Sequence, residues 1–242
     1  MNVYITGASS GIGEYLAYAY ASRGYTLGIS ARRSERLESV ATKCRELGAI
    51  VHTYQLDVTN QSASVEVASS FVDSAGGIDI VIANAGVGGE DQVETGDPSH
   101  INKILEINIL GATNTVVPFI PHLKKSKSGC IAIISSIASF LPIPLHGGYS
   151  GSKAAVRYIS NTLREDLSSH NISVTAVCPG FIRSEMTDGK PFSMPFLMDT
   201  DVAAEKIIGA LNRRKRNYVF PWQWKFVVPF IRMFPSIIKW FR

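Results

Sequence analysis

A tyrosine and a lysine four positions apart give the first indication of chemistry. Tyr149 and Lys153 begin a stretch with helical spacing, 149–167, so both side chains should project from one face of a helix. A free phenol titrates near ~10, too high for proton transfer at neutral pH, but a nearby ammonium favours the phenolate and lowers that pKa. The pair therefore predicts that Tyr149 acts as a general acid or base with Lys153 beside it.

Two further polar residues could join this pair. Ser136 follows an apolar run predicted as a strand and stands 13 positions before Tyr149, and Asn108 lies in a long apolar stretch. Each residue alone has an ordinary alternative: the tyrosine can be packing, the lysine a solvated side chain and the asparagine a backbone contact across a kink. The order and spacing of all four favour the catalytic interpretation.

A glycine-rich turn follows the first predicted strand and leads into a helix. Its residues are Gly7, Ala8, Ser9, Ser10, Gly11, Ile12 and Gly13. Glycines let backbone amides approach a pyrophosphate at a helix N-terminus, where unpaired N–H groups and the helix dipole favour an anion. A tight strand-to-helix turn without a ligand is the alternative. The turn also fits the G-x-S-x-G elbow of α/β-hydrolases, but only six residues precede it, too few for the strands that such an elbow needs.

The end of the second predicted strand bears on which dinucleotide would bind. An acidic residue there would accept hydrogen bonds from the ribose of NAD, but the chain has Arg32 and Arg33 and no acid at that point. A guanidinium suits bidentate recognition of a phosphate, so the sequence favours NADP(H) over NAD(H). The alternative is that both arginines only solvate the start of the next helix.

Short β-rich runs alternate with helix-like stretches along most of the chain. The predicted strands are Asn2–Thr6, Thr26–Ser30, Ile50–Gln55, Ile78–Ala83, Gly129–Ile134 and Ile172–Val177. The stretches with apolar spacing near 3.6 residues are Tyr15–Ala21, Leu37–Leu47, Val65–Val72, Ile101–Val117 and Ala154–Leu167. This alternation predicts an α/β fold with a doubly wound, Rossmann-like parallel sheet in a single domain over residues 1–210.

Taken together, the motifs resemble the short-chain dehydrogenase/reductase family, in its single-domain branch. The glycine turn is similar to the family's TGxxxGxG signature, and the Ser136, Tyr149, Lys153 and Asn108 set matches its catalytic residues. The segment after the sixth strand is similar to the family's PGxxxT segment, with Ser184 where threonine is usual. The resemblance covers residues 1 to about 185.

That resemblance implies an NADP(H)-dependent oxidoreductase that transfers a hydride between a nicotinamide and a carbonyl or secondary alcohol. Ser136 would hydrogen-bond the substrate oxygen and Tyr149 would exchange its proton. Lys153 would bind the ribose hydroxyls, and Asn108 would hold a water in the proton relay. The implied cofactor contacts are Gly7, Ser9, Ser10, Gly11, Ile12, Gly13, Asp57, Val58, Asn84, Ala85, Gly86, Tyr149, Lys153, Pro179, Gly180, Ile182 and Ser184. The alternative function is a non-catalytic NADP-binding sensor. The complete set of catalytic residues argues against this alternative.

The composition of the segment Met186–Met198 indicates the polarity of the substrate. It holds three methionines, two phenylalanines and two prolines. Such residues indicate an adaptable lid over an apolar substrate. They could equally fill a surface groove without meeting a ligand.

The net charge of +4 is unevenly distributed. All 20 acidic residues and 16 of the 24 basic residues lie in 1–210, so a C-terminal tail, 211–242, holds the remaining bases and no acid. No nucleic-acid motif accompanies the basic run Arg213–Arg216, so nucleic acid is not an expected partner. Three cysteines without metal-ligand spacing predict no metal site and, with no secretory signal at the N-terminus, a cytoplasmic location.

All three tryptophans lie in the tail, within 218–242, where Lys225, Arg232 and Lys239 recur every seven positions. An amphipathic segment of this kind predicts peripheral contact with the cytoplasmic face of a membrane. Its prolines argue against one continuous helix. The alternative is that the tail packs on its own domain or across the interface of a homodimer or homotetramer.

Overall fold

Seven parallel strands form one sheet in the computed structural model, which describes residues 1–126, 128–189 and 193–233. The strands are β1 (Asn2–Thr6), β2 (Thr26–Ala31), β3 (Ile50–Gln55), β4 (Ile80–Ala83), β5 (Cys130–Ile134), β6 (Ser173–Pro179) and β7 (Asn217–Phe220). Their order across the sheet is β3-β2-β1-β4-β5-β6-β7. Because the chain builds outward from β1 on one side and then on the other, the predicted doubly wound parallel sheet is confirmed.

Helices cover both faces of this sheet. They are α1 (Gly11–Ala21), α2 (Ser34–Glu46), α3 (Gln61–Ala75), α4 (Ser99–Leu105), α5 (Gly111–Val116), α6 (Ile120–Leu123), α7 (Gly147–Asp166), α8 (Thr200–Asn212) and α9 (Trp224–Met233). Each predicted strand and helix-like stretch falls on these elements, with ends that differ by a few residues. β7 has no counterpart among the predicted strands.

The strands build two hydrophobic cores because successive side chains point to opposite faces. In β1, Val3 and Ile5 enter one buried cluster and Tyr4 enters the other. The first cluster is covered by α1, α2 and α8, and the second by α3, α5, α6 and α7. The sheet is therefore the central layer of a three-layer domain, with both faces dry.

A π-helical turn interrupts the long helix on the second face. It spans Glu106–Leu110, between α4 and α5, and contains Asn108. By length and composition the whole run Ser99–Leu123 could cross a membrane, and no other helix in the described ranges could. Its last turns lie in the second core, where Val116 and Leu123 are fully buried, as in a core helix of a soluble protein.

The sheet continues past residue 210, so the predicted boundary of the domain falls before its last strand. β7 pairs with β6 in parallel from Ala176↔Asn217 to Pro179↔Phe220. Without β7, the edge of β6 would expose unpaired backbone groups, which the chain avoids by adding a strand from its basic C-terminal segment. Residues 234–242, which include Lys239 and Trp240, lie outside the described residues.

β7 also divides the basic residues of this segment between two places. Arg214 donates to Asn171 Oδ1 at 2.7 Å, and Arg216 forms an ion pair with Glu165 at 2.7 Å, both at the end of the sheet where β7 begins. Lys225 and Arg232 belong to α9, which follows the opposite end of β7. The basic residues of 211–233 therefore do not form a single patch.

Candidate active site

The glycine-rich turn and the turn after β4 brace each other at the carboxyl ends of their strands. Asn84 Nδ2 donates to the carbonyl oxygens of Thr6 at 3.0 Å and Gly7 at 3.2 Å. The backbone N–H groups of Asn84 and Ala85 donate to Thr6 Oγ1, each at 3.2 Å. The motif residues on β1 and β4 are therefore brought together, and Thr6 is the hydroxyl that joins them.

Two glycines of the turn leave no room for a side chain. Gly7 has a φ of 66°, and a Cβ atom there would lie 2.8 Å from Ala85 Cα. A Cβ atom on Gly13 would lie 2.5 Å from Asn84 Nδ2 and from the Gly7 carbonyl oxygen. Ser10, which precedes α1, makes no side-chain cap bond to it, so the N–H groups of the first helical turn are left for an anion.

Arg33 folds back onto this turn. Its guanidinium donates to Ser10 Oγ at 2.7 Å and to Ser9 Oγ at 3.2 and 3.3 Å. It also pairs with Glu185 at 2.9 Å. The hydrogen bonds from Arg33 and then Arg36 hold the pKa of Glu185 below its usual range. A cation thus stands beside the two turn serines that were predicted as cofactor contacts.

Arg32 lies apart from Arg33, near the turn after β3. Its guanidinium is 3.9 Å from the carboxylate of Asp57. Asp57 Oδ1 accepts hydrogen bonds from the Thr59 N–H at 3.0 Å and the Thr59 hydroxyl at 2.9 Å. Partial burial raises the pKa of Asp57, but the Thr59 bonds and the charge of Arg32 outweigh burial and lower it. The Val58 carbonyl oxygen accepts a hydrogen bond from Asn114 Nδ2 at 2.9 Å, which joins this turn to α5.

Ser136, Tyr149 and Lys153 meet beyond the carboxyl end of β5. Ser136 Oγ accepts a hydrogen bond from the Ala138 N–H at 3.1 Å, which starts a short 3-10 turn. The Ser136 hydroxyl also hydrogen-bonds the phenol of Tyr149. Lys153 Nζ lies 5.7 Å from the centre of the Tyr149 ring. The structure therefore brings together the three residues that were predicted to act together.

Lys153 is a buried cation that contacts a carbonyl group. Its residue is 5% exposed, and Nζ donates to the Ile134 carbonyl oxygen at 3.0 Å. Burial lowers the pKa of Lys153 to about 8, because water no longer solvates the ammonium. An ammonium carries three N–H donors, so two remain for the hydroxyls of a bound molecule.

The pKa of Tyr149 differs from the expectation. Burial raises it above its ordinary value, and the hydrogen bond from Ser136 lowers it only in part. The predicted depression by Lys153 is therefore not met in the protein alone. The reason is that desolvation of the phenolate outweighs the attraction of an ammonium that is itself buried and held toward Ile134.

Asn108 holds the chain that follows β4. Its Oδ1 accepts from the Val87 N–H at 2.8 Å, and its Nδ2 donates to the Val87 carbonyl and to Ser152 Oγ, each at 2.9 Å. A Cβ atom on Gly86 would lie 3.0 Å from Asn108 Oδ1 and 3.2 Å from Lys153 Nζ. Gly86 is thus the point where the cofactor motif meets the catalytic residues, while the water-holding role of Asn108 stays a prediction.

Asp91 belongs to this site although no motif indicated it. The residue is 6% exposed, and its carboxylate accepts hydrogen bonds from the N–H groups of Gly147 and Gly148, the latter at 2.9 Å. A negative charge at a helix N-terminus is favourable, so Asp91 caps the helix that carries Tyr149. The contact joins residues 56 or more positions apart, which left no local signal in the sequence.

Replacing this cap is expected to weaken the fold and the site together. Asp91→Ala leaves the buried N–H of Gly148 and the partly buried N–H of Gly147 without an acceptor, so the free energy of unfolding should fall by about 1–3 kcal/mol. Urea unfolding measures the loss. The matched control is Glu90→Ala, which removes the exposed neighbouring acid and should change stability little. Equal effects of the two substitutions would contradict the capping role.

The segment after β6 returns to the glycine turn. A Cβ atom on Gly11 would lie 3.4 Å from Ser184 Cβ, so Ser184 stands next to the predicted phosphate turn. The Ser184 N–H donates to Thr187 Oγ1 at 2.9 Å, and Ile182 pairs with Met198 in a short parallel bridge. Ser184 therefore lies beside the glycine turn, and the cofactor contacts of Ile182 and Ser184 stay predictions.

Met186 and the ring of Tyr149 both lie against Gly88. A Cβ atom on Gly88 would lie 3.5 Å from Met186 Sδ and 3.7 Å from Tyr149 Cδ2. His146, three residues before Tyr149, is hydrogen-bonded to the loop after β4: its Nδ1 lies 2.8 Å from the Gly89 carbonyl oxygen. Residues 190–192 lie outside the described residues, so the lid over 186–198 stays a prediction.

The C-terminal segment reaches the site through Trp224. The indole lies directly against Gly180, where a Cβ atom would lie 2.8 Å from Trp224 Cδ1. Its ring packs edge-on against Phe181 and Phe196, with ring centres 5.9 and 5.8 Å apart. Part of the predicted tail therefore packs on its own domain, beside Pro179 and Gly180.

A glycine-rich turn at the switch point of a parallel sheet, next to a serine, a tyrosine and a lysine, is the arrangement of a nicotinamide-dependent oxidoreductase of the Rossmann type. The particular family follows from comparison with known proteins. The chain belongs to the short chain dehydrogenase family, whose model matches residues 1–192.

Individual relatives agree with this assignment. An uncharacterized oxidoreductase of Myxococcus xanthus is 36% identical over 219 residues, which cover 90% of this chain and 87% of the relative. The 11-beta-hydroxysteroid dehydrogenase A of Arachis hypogaea is 36% identical over 98% of this chain and 73% of its own length. Among solved structures, an alcohol dehydrogenase from Thermococcus sibiricus, complexed with 5-hydroxy-NADP, superposes with a TM-score of 0.81 at 30% identity, covering 90% of this chain and 94% of that one.

Proposed function

We propose that the protein is an NADP(H)-dependent reductase or dehydrogenase that acts on apolar carbonyl compounds or secondary alcohols. The observation that carries the proposal is the cluster of Ser136, Tyr149 and Lys153 at the carboxyl edge of the sheet, next to a turn in which Gly7 and Gly13 admit no side chain. The bound dinucleotide supplies or takes up the hydride. The protein's own residues supply the orientation and the proton.

Each side chain of the cluster has one task in this mechanism. The Ser136 hydroxyl donates a hydrogen bond to the substrate oxygen and so fixes the reacting carbon. The Tyr149 phenol gives its proton to that oxygen during reduction, or takes the proton during oxidation. Lys153 uses its two remaining N–H donors on the ribose hydroxyls and keeps a positive charge near the phenol. A carbonyl screen that follows NADPH absorbance tests the activity.

The preference for NADP(H) rests on Arg33. Its side chain is hydrogen-bonded to Ser9 and Ser10, and the second strand ends without an acid that would bind the ribose of NAD. A 2′-phosphate placed there would meet one guanidinium and two hydroxyls, a donor set suited to a dianion. Glu185 now shares this guanidinium through an ion pair at the surface, where solvent screens the pairing.

Arg33→Ala is expected to separate the two cofactors. Losing a charge-assisted contact to a phosphate should raise the dissociation constant of NADPH about tenfold or more and leave that of NADH nearly unchanged. Quenching of intrinsic fluorescence measures both constants. The matched control is Arg36→Ala, since Arg36 also pairs with Glu185 but makes no hydrogen bond to the turn serines among the described residues. A parallel loss of NADPH and NADH binding would reject the phosphate assignment.

An apolar substrate is proposed from the exposed apolar side chains of the segment that follows β6. Met186, Phe196 and Leu197 are 46%, 42% and 39% exposed on the segment that follows β6. The relatives described as 11-beta-hydroxysteroid dehydrogenases carry the name of an apolar substrate class. Medium-chain and ring ketones are therefore the first compounds to screen.

We also propose a homodimer or homotetramer in the cytoplasm. Large apolar side chains are exposed on the helices of the second face, where Leu110 is 55%, Val117 50% and Tyr158 66% exposed. Burial of such residues in a symmetric interface would stabilise an oligomer. Light scattering of the purified chain gives the mass.

A further inference from the structure

α9 is apolar on two opposite sides. Its inner side, Trp224, Val228 and Ile231, is buried against the domain. At 3.6 residues per turn, Phe226 and Met233 point the opposite way, and they are 69% and 68% exposed. An ordinary surface helix keeps one polar face, so this outer side calls for a partner of its own.

Further exposed apolar side chains lie next to α9, on the residue before the helix and on the substrate segment. Trp222, just before the helix, is 64% exposed and packs edge-on against Phe226 with ring centres 6.0 Å apart. On the inner side, Trp224 contacts Phe196, which is partly exposed with Leu197 on the substrate segment. Trp222, Phe226 and Met233 are called the outer surface below, while Phe196 and Leu197 link the inner side of α9 to the substrate segment.

Cations lie along one flank of this helix. Lys225 and Arg232 are seven positions apart, so they stand on the same side, about a quarter turn from the outer side. Together with Phe140, Val219 and Pro229 they line a groove of about 470 Å³. Neither forms an ion pair with an acidic residue among the described residues, and 211–242 contains no acid.

We infer that the outer surface, with Lys225 and Arg232, docks the protein on an anionic lipid bilayer, where apolar substrate reaches the site directly from the lipid. The part about substrate rests on the proposed function; the docking does not. Aromatic side chains with flanking cations are the residues that settle at the headgroup level of a membrane. Within the described residues, Pro229 interrupts α9, and Trp224, Val228 and Ile231 hold its inner side against the domain. The described part of α9 therefore lies along the surface of the bilayer.

Charge distinguishes a bilayer from a second copy of the chain. In a two-fold interface the same surface meets itself, so Lys225 and Arg232 would approach their own copies without an acid on α9 to pair with. An anionic bilayer offers the complementary charge. The basic run 213–216 takes no part, because Arg214 and Arg216 are bound at the far end of β7.

Vesicle flotation of the full chain tests the docking. The wild-type protein should float with vesicles of phosphatidylcholine and phosphatidylglycerol and much less with phosphatidylcholine alone. Trp222→Ser with Phe226→Ser should abolish flotation, and Lys225→Gln with Arg232→Gln should weaken binding to the anionic vesicles about tenfold or more. The matched control, Arg213→Gln with Lys215→Gln, removes the same charge at the far end of β7 and should leave binding unchanged.

Other measurements show which occupant the surface has. If the wild type fails to float and Trp222→Ser with Phe226→Ser lowers the oligomer mass, the surface is an interface between copies and the docking is overturned. Equal loss in the control variant would also overturn it, since binding would then depend only on net charge.

The link to substrate is measured separately. With vesicles present, the KM for a lipid-partitioning ketone should fall in the wild type but not in the Trp222→Ser, Phe226→Ser variant, while the dissociation constant for NADPH stays the same in both. An unchanged KM would overturn delivery from the lipid. If no ketone is reduced and flotation persists, the proposed reaction fails and the docking stands.

Discussion

Tyr149→Phe is expected to lower turnover of a ketone with NADPH by about 10²–10⁴-fold, which is the contribution typical of a positioned proton donor. The substitution removes one oxygen and keeps the ring that packs beside Gly88. Lys153 stays bound to the Ile134 carbonyl, and the glycine turn is untouched. NADPH affinity should therefore change little. Continuous assays of NADPH absorbance measure the turnover, and fluorescence titration measures the NADPH affinity.

Tyr158→Phe provides the control for this experiment. Tyr158 is on the same helix but 66% exposed, and its backbone carbonyl oxygen accepts a hydrogen bond from Thr162 Oγ1, a contact that the loss of the phenol hydroxyl does not touch. Its substitution should leave both turnover and NADPH binding unchanged. Undiminished turnover of Tyr149→Phe would reject Tyr149 as the acid. A wild-type chain that binds NADPH and reduces no carbonyl in a broad screen would favour the sensor instead.

Local patterns predicted the parts of the site that lie within single turns. Gly7 to Gly13 and the Tyr149–Lys153 pair are each contained in one strand-to-helix turn or one helical turn, so their spacing in the sequence already fixes their geometry. The same holds for the six predicted strands, whose apolar runs are confirmed by the sheet. The resemblance to a family added the order in which these pieces must stand.

Contacts between distant segments could not be predicted in this way. Asp91 reaches Gly147 across 56 positions, and nothing in its neighbourhood distinguishes it from an exposed acid. The four residues of β7 follow a basic run, and the sequence pattern assigns them to a tail, because edge pairing depends on where β6 ends in space. The Asp91 contact and the pairing of β7 with β6 both depend on the folded structure, so neither leaves a pattern in the local sequence.

Electrostatic expectations failed for a related reason. A lysine near a tyrosine in sequence suggests a lowered phenol pKa, but sequence does not report burial. In the fold, burial raises the pKa of Tyr149 and lowers the pKa of Lys153 to about 8, since each charged form is removed from water. Solvent access, which depends on the packing of the whole domain, therefore decides the sign.

Trp224→Ala is expected to have the largest effect on stability of any substitution in the C-terminal segment. The side chain is 2% exposed, and it fills the space in front of Gly180 between Phe181 and Phe196. Removing a buried tryptophan leaves a cavity and should lower the free energy of unfolding by about 3–5 kcal/mol. Thermal or urea unfolding of the full chain measures this loss.

The same substitution should also affect the site, because Trp224 is the contact between α9 and the turn that starts at Pro179. With the indole absent, that turn loses its support, so the KM for NADPH should rise more than kcat falls.

Trp222→Ala is the matched control: this neighbouring indole is 64% exposed and makes its ring contact with Phe226, so its loss should leave unfolding and NADPH binding nearly unchanged. Trp224→Phe, which keeps an aromatic ring against Gly180, should recover much of the NADPH affinity. If the two alanine variants behaved alike, the C-terminal segment would be an appendage after all, and the support of the cofactor turn would have to come from β6 alone.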